Sequence, residues 1–211
     1  MAYKGMYLKK IVPTDIKEGS WWEEQCVVRQ GGYDLDQSNL PAELKWLPKG
    51  TVVKLGTGGK AVAVKTAKVT EKAEAATKTV KLKPGSLFKE GDTIGGKKIS
   101  SIARSATLDT VTLSSGLEAA INADDIVTDY NKDSDVLLGF TYATKELDKD
   151  ASQQVEPTLR VMEVEEVSLP YPINADIKAG LNVNGIALFK IQKQAGIIIN
   201  RITITKNIEK V

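Results

Sequence analysis

Histidine is absent from this 211-residue chain, so the commonest general base, the commonest metal ligand and any Ser-His or Cys-His nucleophile pair are missing together. Catalysis would have to rest on carboxylates, lysine or tyrosine. Three carboxylate clusters are dense enough to weigh: Glu23-Glu24, Asp124-Asp125, and Glu163 with Glu165-Glu166. A working acid–base pair needs one carboxyl whose pKa is raised by burial, and each cluster sits instead among charged neighbours, the pattern of a solvated face. Cys26 is the single cysteine, which excludes an intrachain disulfide and a thiolate metal cluster. Between Gln25 and Val27 it reads as a small buried hydrophobe. The expectation is a chain that is not an enzyme, with no catalytic residue, no cofactor and no metal.

Two glycine-rich stretches have spacings that invite a nucleotide loop. In GDTIGGKK, Gly91 to Lys97 follow GxxxxGK, but Lys98 stands where a P-loop carries the Ser or Thr that holds magnesium. A P-loop also opens a helix, whereas the KKISSI that follows is a β-branched, serine-rich strand pattern. In LGTGGKAVAVKT, Gly56, Gly58 and Gly59 lie between the runs TVVKL and AVAVKT, so they predict a hairpin turn with positive φ.

The elements that carry these residues belong to a nearly neutral chain. There are 29 basic and 27 acidic residues, net +2, with the signs mixed along most of the length. That argues against a nucleic-acid partner. No run approaches the 18 or more apolar residues of a membrane span, and the opening MAYKGMYLKK lacks the apolar centre of a signal peptide. No membrane association and synthesis in a cytoplasm are expected. Folding at this length buries roughly 70% of the unfolded surface, which is enough for a core without disulfides or metals.

Residues 1–47 hold all three tryptophans and half the tyrosines with little periodicity, and read as an extended aromatic N-terminal arm with a short strand over Gln25 to Arg29. The pattern changes at Leu47. LPKGTVVKL and VLLGFTYAT predict core strands of a discontinuous β core made of 48–67 and 131–192, with Gly139 marking a bulge or a close backbone approach. TAKVTEKAEAATK, 66–78, reads as an exposed connector. The runs TVKLK, KKISSI and DTVTLSS, then a helical turn and closing strand in GLEAAINADDIV, predict an inserted β module over 68–130, a small barrel or sandwich. Further on, TLRVMEVEEVSL places Leu159, Val161 and Met162 near the core. Asn174 is an N-cap for a short helix carrying Ile177 and Leu181, with Gly185 as its stop. The tail 193–211 contains the β-prone IIINRITIT, which must pair with something. The fold class predicted is mainly β with one or two short helices, a β-rich α+β protein.

The order LPKGTVVKL, VLLGFTYAT, NADIKAGL and GIALFKI resembles the head-decoration (auxiliary capsid) proteins of tailed phages. The opening KGMYLKK with EGSWWEEQCVV, and the later SLPYPINADIK, are similar to the head-fibre proteins of Bacteroides phages and prophages. The segments KLKPGSLFKEGDTIGGKKISSI and DTVTLSSGLEAAINADDIV resemble a β module recurrent in phage virion proteins. Together these likenesses cover nearly the whole chain. They imply a decoration-protein-like core without an active site, and a structural role on the virion surface. The partner implied is the major capsid protein, and the assembly a homo-oligomer, a trimer being favoured. The insertion at 68–130, the aromatic N-terminal segment and the C-terminal extension depart from the small decoration proteins.

Within the arm, Tyr7, Trp21 and Trp22 are the expected capsid contacts, because interfaces concentrate Trp and Tyr at a few energetic positions. The alternative is a carbohydrate- or receptor-binding β module of a phage tail or cell surface, which needs a flat aromatic platform. Trp21 and Trp22 are adjacent, so a strand would point them to opposite faces. A hydrolase built on a carboxylate pair is the weakest reading, since histidine is absent.

Overall fold

A computed structural model describes residues 13–148 and 150–183, together with the backbone strands Ile186–Phe189, Gln192–Gln194 and Ile197–Ile199. The protein is mainly β, with one α-helix among the described residues. Val52–Leu55 is a central strand, paired antiparallel with Ala61–Ala63 on one side and Leu137–Phe140 on the other. Consecutive residues of a strand face opposite ways, and both Val52 and Val53 are buried. This sheet therefore has a core on each side. Val52 packs with Trp21, Phe140, Val161 and Ile177, whereas Val53 packs with Leu35, Leu47, Ala61 and Val155. The sequence pair VV is the signature of that two-sided burial.

The long strand Thr158–Glu165 lies between Val27–Val28, antiparallel, and Ile186–Phe189, parallel. A parallel return needs a crossover, which the helix Ala175–Val183 supplies. Asn174 caps it: its Oδ1 accepts the Ile177 N–H at 2.9 Å. Ile177 and Leu181, one turn apart, are both fully buried. Gly185, the expected stop, lies outside the described residues. Gly139 sits at φ +131° where the register of its strand shifts, and a Cβ there would lie 2.1 Å from the Thr158 carbonyl oxygen. The close approach lets Thr158 Oγ1 accept the buried Phe140 N–H at 3.0 Å.

The N-terminal segment differs from the expected extended arm. From Pro13 onward it is laced along the core: Val27–Val28 pairs with Thr158–Glu165, Tyr33–Asp34 with Gln154–Val155, and Trp46–Leu47 with Lys145–Glu146. Leu35, Leu40 and Leu47 are buried. Strands of two residues are too short to show a period, which is why the segment looks irregular in sequence yet contributes core residues.

A second group of strands lies between Thr66 and Thr128. Thr79–Leu82, Asp109–Leu113, Lys97–Arg104 and Thr93–Ile94 form a four-stranded antiparallel sheet in that order. Thr66–Lys68 pairs with Ile126–Thr128, and a bridge from Val69 to Leu82 joins the two sheets into a curled half-barrel. Inside it Val80, Leu82, Phe88, Ile94, Val111 and Leu113 form a cluster of their own. Two expectations are corrected here. The stretch 66–78 is not an exposed connector throughout: Thr66–Lys68 is a strand, and Ala67, Val69 and Ala73 are buried in this cluster, whereas most of 71–78 is exposed as expected. The helical turn expected in GLEAAINADDIV is absent, and Ile121 instead bridges to Ala73 before the strand Ile126–Thr128.

Polar contacts lock the half-barrel to the rest. Lys65, 0% exposed, donates to both oxygens of Asp92 at 2.7 and 2.6 Å. Arg104 donates to the buried Asp109 at 3.1 Å and pairs with Glu43 of the N-terminal segment at 2.8 Å. Leu87 crosses over to pack with Leu35, Val53 and Val155.

Candidate functional site

Each carboxylate cluster is tied into local structure. Glu23 is bonded to Lys49, and Asp124 pairs with Lys68 at 2.7 Å, which holds its carboxyl below the ordinary aspartate value. Asp125 accepts the Asn122 N–H at 2.8 Å. Glu166 pairs with Lys178 at 2.7 Å, while Glu163 is exposed at a positive φ of 58°. The carboxyl that burial pushes up is Asp129, which lies in an ionic cluster with Lys54 at 3.8 Å and the Lys65 N–H at 2.8 Å. Half-burial raises the Cys26 thiol, so it holds less thiolate than a free cysteine.

Neither glycine loop is built to cradle phosphate. Gly95 and Gly96, at φ +55° and +76°, make the two-residue turn between Thr93–Ile94 and Lys97–Arg104. Two successive positive φ values are what a tight hairpin of this twist requires. The lysine of the GxxxxGK spacing, Lys97, is paired with Glu118 at 2.6 Å. Gly58 and Gly59, at +70° and +75°, turn the chain between Val52–Leu55 and Ala61–Ala63.

The structure separates two of the expected capsid contacts, Trp21 and Trp22. Trp21 belongs to the protein's own core: it is 7% exposed and stacks on Phe140 with ring centroids 6.1 Å apart, and the Lys49 ammonium lies 4.3 Å from its ring centroid. This corrects its expected role as a surface anchor. The physical reason is that the chain on either side of Trp21 is tied to the strand Thr158–Glu165, through the Ser20–Glu165 bridge and the Trp22 N–H to the Met162 carbonyl, which sets Trp21 against the core. Trp22 points the other way and is 45% exposed. Tyr7 lies outside the described residues.

Trp22 has exposed apolar neighbours that sequence reasoning did not single out. Its N–H bonds the Met162 carbonyl at 3.2 Å. Val27, 48% exposed, is opposite Arg160, and Leu159, 45% exposed, is the next residue along that strand. Tyr142 is also exposed, and its N–H bonds the Glu156 carbonyl at 3.0 Å just before the same strand. Trp22, Val27, Tyr142 and Leu159 thus come from three segments hydrogen-bonded to one another. The alternation of TLRVMEVE suggested Leu159 was internal. The structure instead buries Thr158, which the Gly139 contact requires, and the register shift between Val27 and Val28 lets Leu159 face out. Large exposed apolar groups on neighbouring, hydrogen-bonded segments are a candidate interaction surface.

Clefts line the junction of the two strand groups. One of about 690 Å³ runs beside Leu40, Glu43, Lys89 and Arg104, and another of about 560 Å³ beside Trp46, Pro84 and Tyr171. Among the described residues, no group of three or more Cys, Asp or Glu is placed to hold a metal ion. The chain matches no protein-family profile, no curated protein and no solved structure.

Proposed function

We propose that this protein is a structural virion component that binds the outer surface of a phage capsid, as a decoration or head-fibre protein. The reading rests on the resemblance of its motifs along nearly the whole chain, and on one structural observation: the exposed Val27 and Leu159 on paired strands, with the exposed Trp22 and Tyr142 hydrogen-bonded through their backbone to residues of and just before the strand that carries Leu159. Trp22 is the anchor in this reading, with the major capsid protein as partner. A homo-oligomer, a trimer, on the virion surface is the assembly it implies. The attachment surface then belongs to the folded β core, so no separate arm has to become ordered when the protein docks, which limits the entropic cost of binding.

The experiment is co-sedimentation with undecorated heads. The wild-type chain should pellet with heads at a fixed ratio to the capsid protein. Truncation of an interface hot spot costs on the order of 2 kcal/mol, roughly 30-fold in affinity, so Trp22→Ser should leave most of the protein in the supernatant. A wild-type chain that stays unbound, or a Trp22→Ser variant that binds as well as wild type, would overturn the proposal and its anchor respectively.

A further inference from the structure

A small cleft of about 230 Å³ lies where the strand Thr66–Lys68, the turn around Pro84 and the segment leading to Pro172 meet. Lys17, Lys68 and Lys83 all line it. Their charges are not equally spent. Lys68 pairs with Asp124 at 2.7 Å, and the carboxylate that also lines the cleft, Glu166, is held by Lys178 at 2.7 Å. Lys17 and Lys83 make no ion pair within 4 Å among the described residues, although the Lys83 charge also reaches Asp124. They are near enough to repel one another: desolvation first, and the Lys83 charge second, pull the Lys17 ammonium below its ordinary value.

The second observation is independent of these charges. Thr66, 2% exposed, lines the same cleft, and its Oγ1 has no hydrogen-bond partner. A buried hydroxyl left unpaired is destabilising, and the two lysines, although solvent-exposed, repel one another across the cleft. One kind of ligand relieves both, because an oxyanion accepts from the hydroxyl and neutralises the lysines. The two ammonium groups, neither held in a close ion pair, suit a multiply charged oxyanion. No arginine lines the cleft, so the planar fork that selects carboxylates is missing, whereas ammonium groups serve as point charges for phosphate oxygens.

We propose that this cleft is a phosphate-binding site, in which Lys17 and Lys83 supply the charge and Thr66 donates a hydrogen bond. The volume of about 230 Å³ accommodates a phosphate group with room to spare, so both free phosphate and the end of a phosphate monoester fit. The site is independent of capsid attachment, which is assigned to Trp22 and its neighbours, and the failure of one leaves the other standing.

Titration of the full chain with inorganic phosphate, and separately with glycerol phosphate, followed by amide NMR shifts at constant ionic strength, tests this. Saturable shifts are expected at Lys17, Thr66 and Lys83, with sodium chloride producing none. Tighter binding of the ester identifies an esterified phosphate as the ligand, and equal binding the free ion. Lys17→Ser with Lys83→Ser should weaken binding at least tenfold. Thr66→Val should weaken it severalfold while raising the melting temperature of the free protein, because a methyl replaces the unpaired hydroxyl. Thr66→Ser, which keeps the donor, should bind as wild type does. Shifts that grow linearly over many exposed lysines, or affinity unchanged in the double lysine variant or in Thr66→Val, would overturn the site.

Discussion

Replacing Lys65 by alanine should be among the most damaging single changes in the described part of the chain. The Lys65 side chain is 0% exposed and its partner Asp92 15% exposed. Both Asp92 oxygens accept from Nζ, at 2.7 and 2.6 Å. Asp92 Oδ2 also accepts the Lys89 N–H at 2.7 Å, so the pair ties a strand connection of the core to the loop before Thr93–Ile94. Removing one partner of a buried pair costs about 3–5 kcal/mol, because the other charge is left without its counter-ion. Water reaches Asp92 in part, which places the expected loss near the lower end, about 3 kcal/mol. At about 2–4 °C per kcal/mol for a chain of this length, Tm should fall by about 6–12 °C. Lys65→Met keeps most of the stem volume, and Asp92→Asn keeps an acceptor for Lys89. The double variant should therefore be less destabilised than the sum of the singles, with a coupling of about 2 kcal/mol. Urea unfolding followed by circular dichroism measures all four proteins. A Lys65→Ala loss below about 1 kcal/mol, or singles that simply add, would refute the reasoning.

The two neighbouring tryptophans should behave oppositely in the same unfolding assay. Trp21→Ala should cost about 3–5 kcal/mol through the cavity left against Phe140, and Trp22→Ala no more than about 0.5 kcal/mol. Gly139→Ala should cost several kcal/mol, on the order of 3 or more, since the added Cβ meets a backbone oxygen that no side-chain rotation can move; a variant with unchanged unfolding would disprove the close approach. In a carboxyl NMR titration Asp129 should titrate above the ordinary aspartate value of 3.8 and Asp124 below it. The signs for stability follow from proton binding. Asp129 holds its proton in the folded chain where the unfolded chain has lost it, so its contribution grows as pH falls through its raised pKa. The Asp124 contribution is present above 3.8 and fades as pH falls through its lowered pKa; reversed midpoints would contradict both assignments.

Much of the fold could be read from local pattern, and what could not be read has physical causes. Asn174, Ile177 and Leu181 announced their helix because cap and period both act within one turn. Gly58-Gly59 announced a hairpin because positive φ is a local requirement. Val52-Val53 signalled a strand, but not that its two faces bury different clusters, which only the tertiary arrangement decides. The N-terminal pairings were hidden because a two-residue strand has no period and its partner lies about a hundred residues away or more, as Arg160 does from Val27. For the same reason the exposed surface was half legible: Trp22 stood out by type, whereas Leu159 read as core and a register shift turns it outward. Lys65 gave no signal at all, since nothing in VAVKTAK distinguishes a buried lysine from a solvated one.

Attachment to the outside of a capsid is tested most directly by electron cryomicroscopy of heads incubated with the purified chain. The account predicts ordered density outside the shell at fixed symmetry-related positions, fitted by the β core with Trp22 and Leu159 against the capsid protein. Bare shells at saturating concentration, or density in which the face bearing Trp22 and Leu159 points away from the capsid, would contradict it.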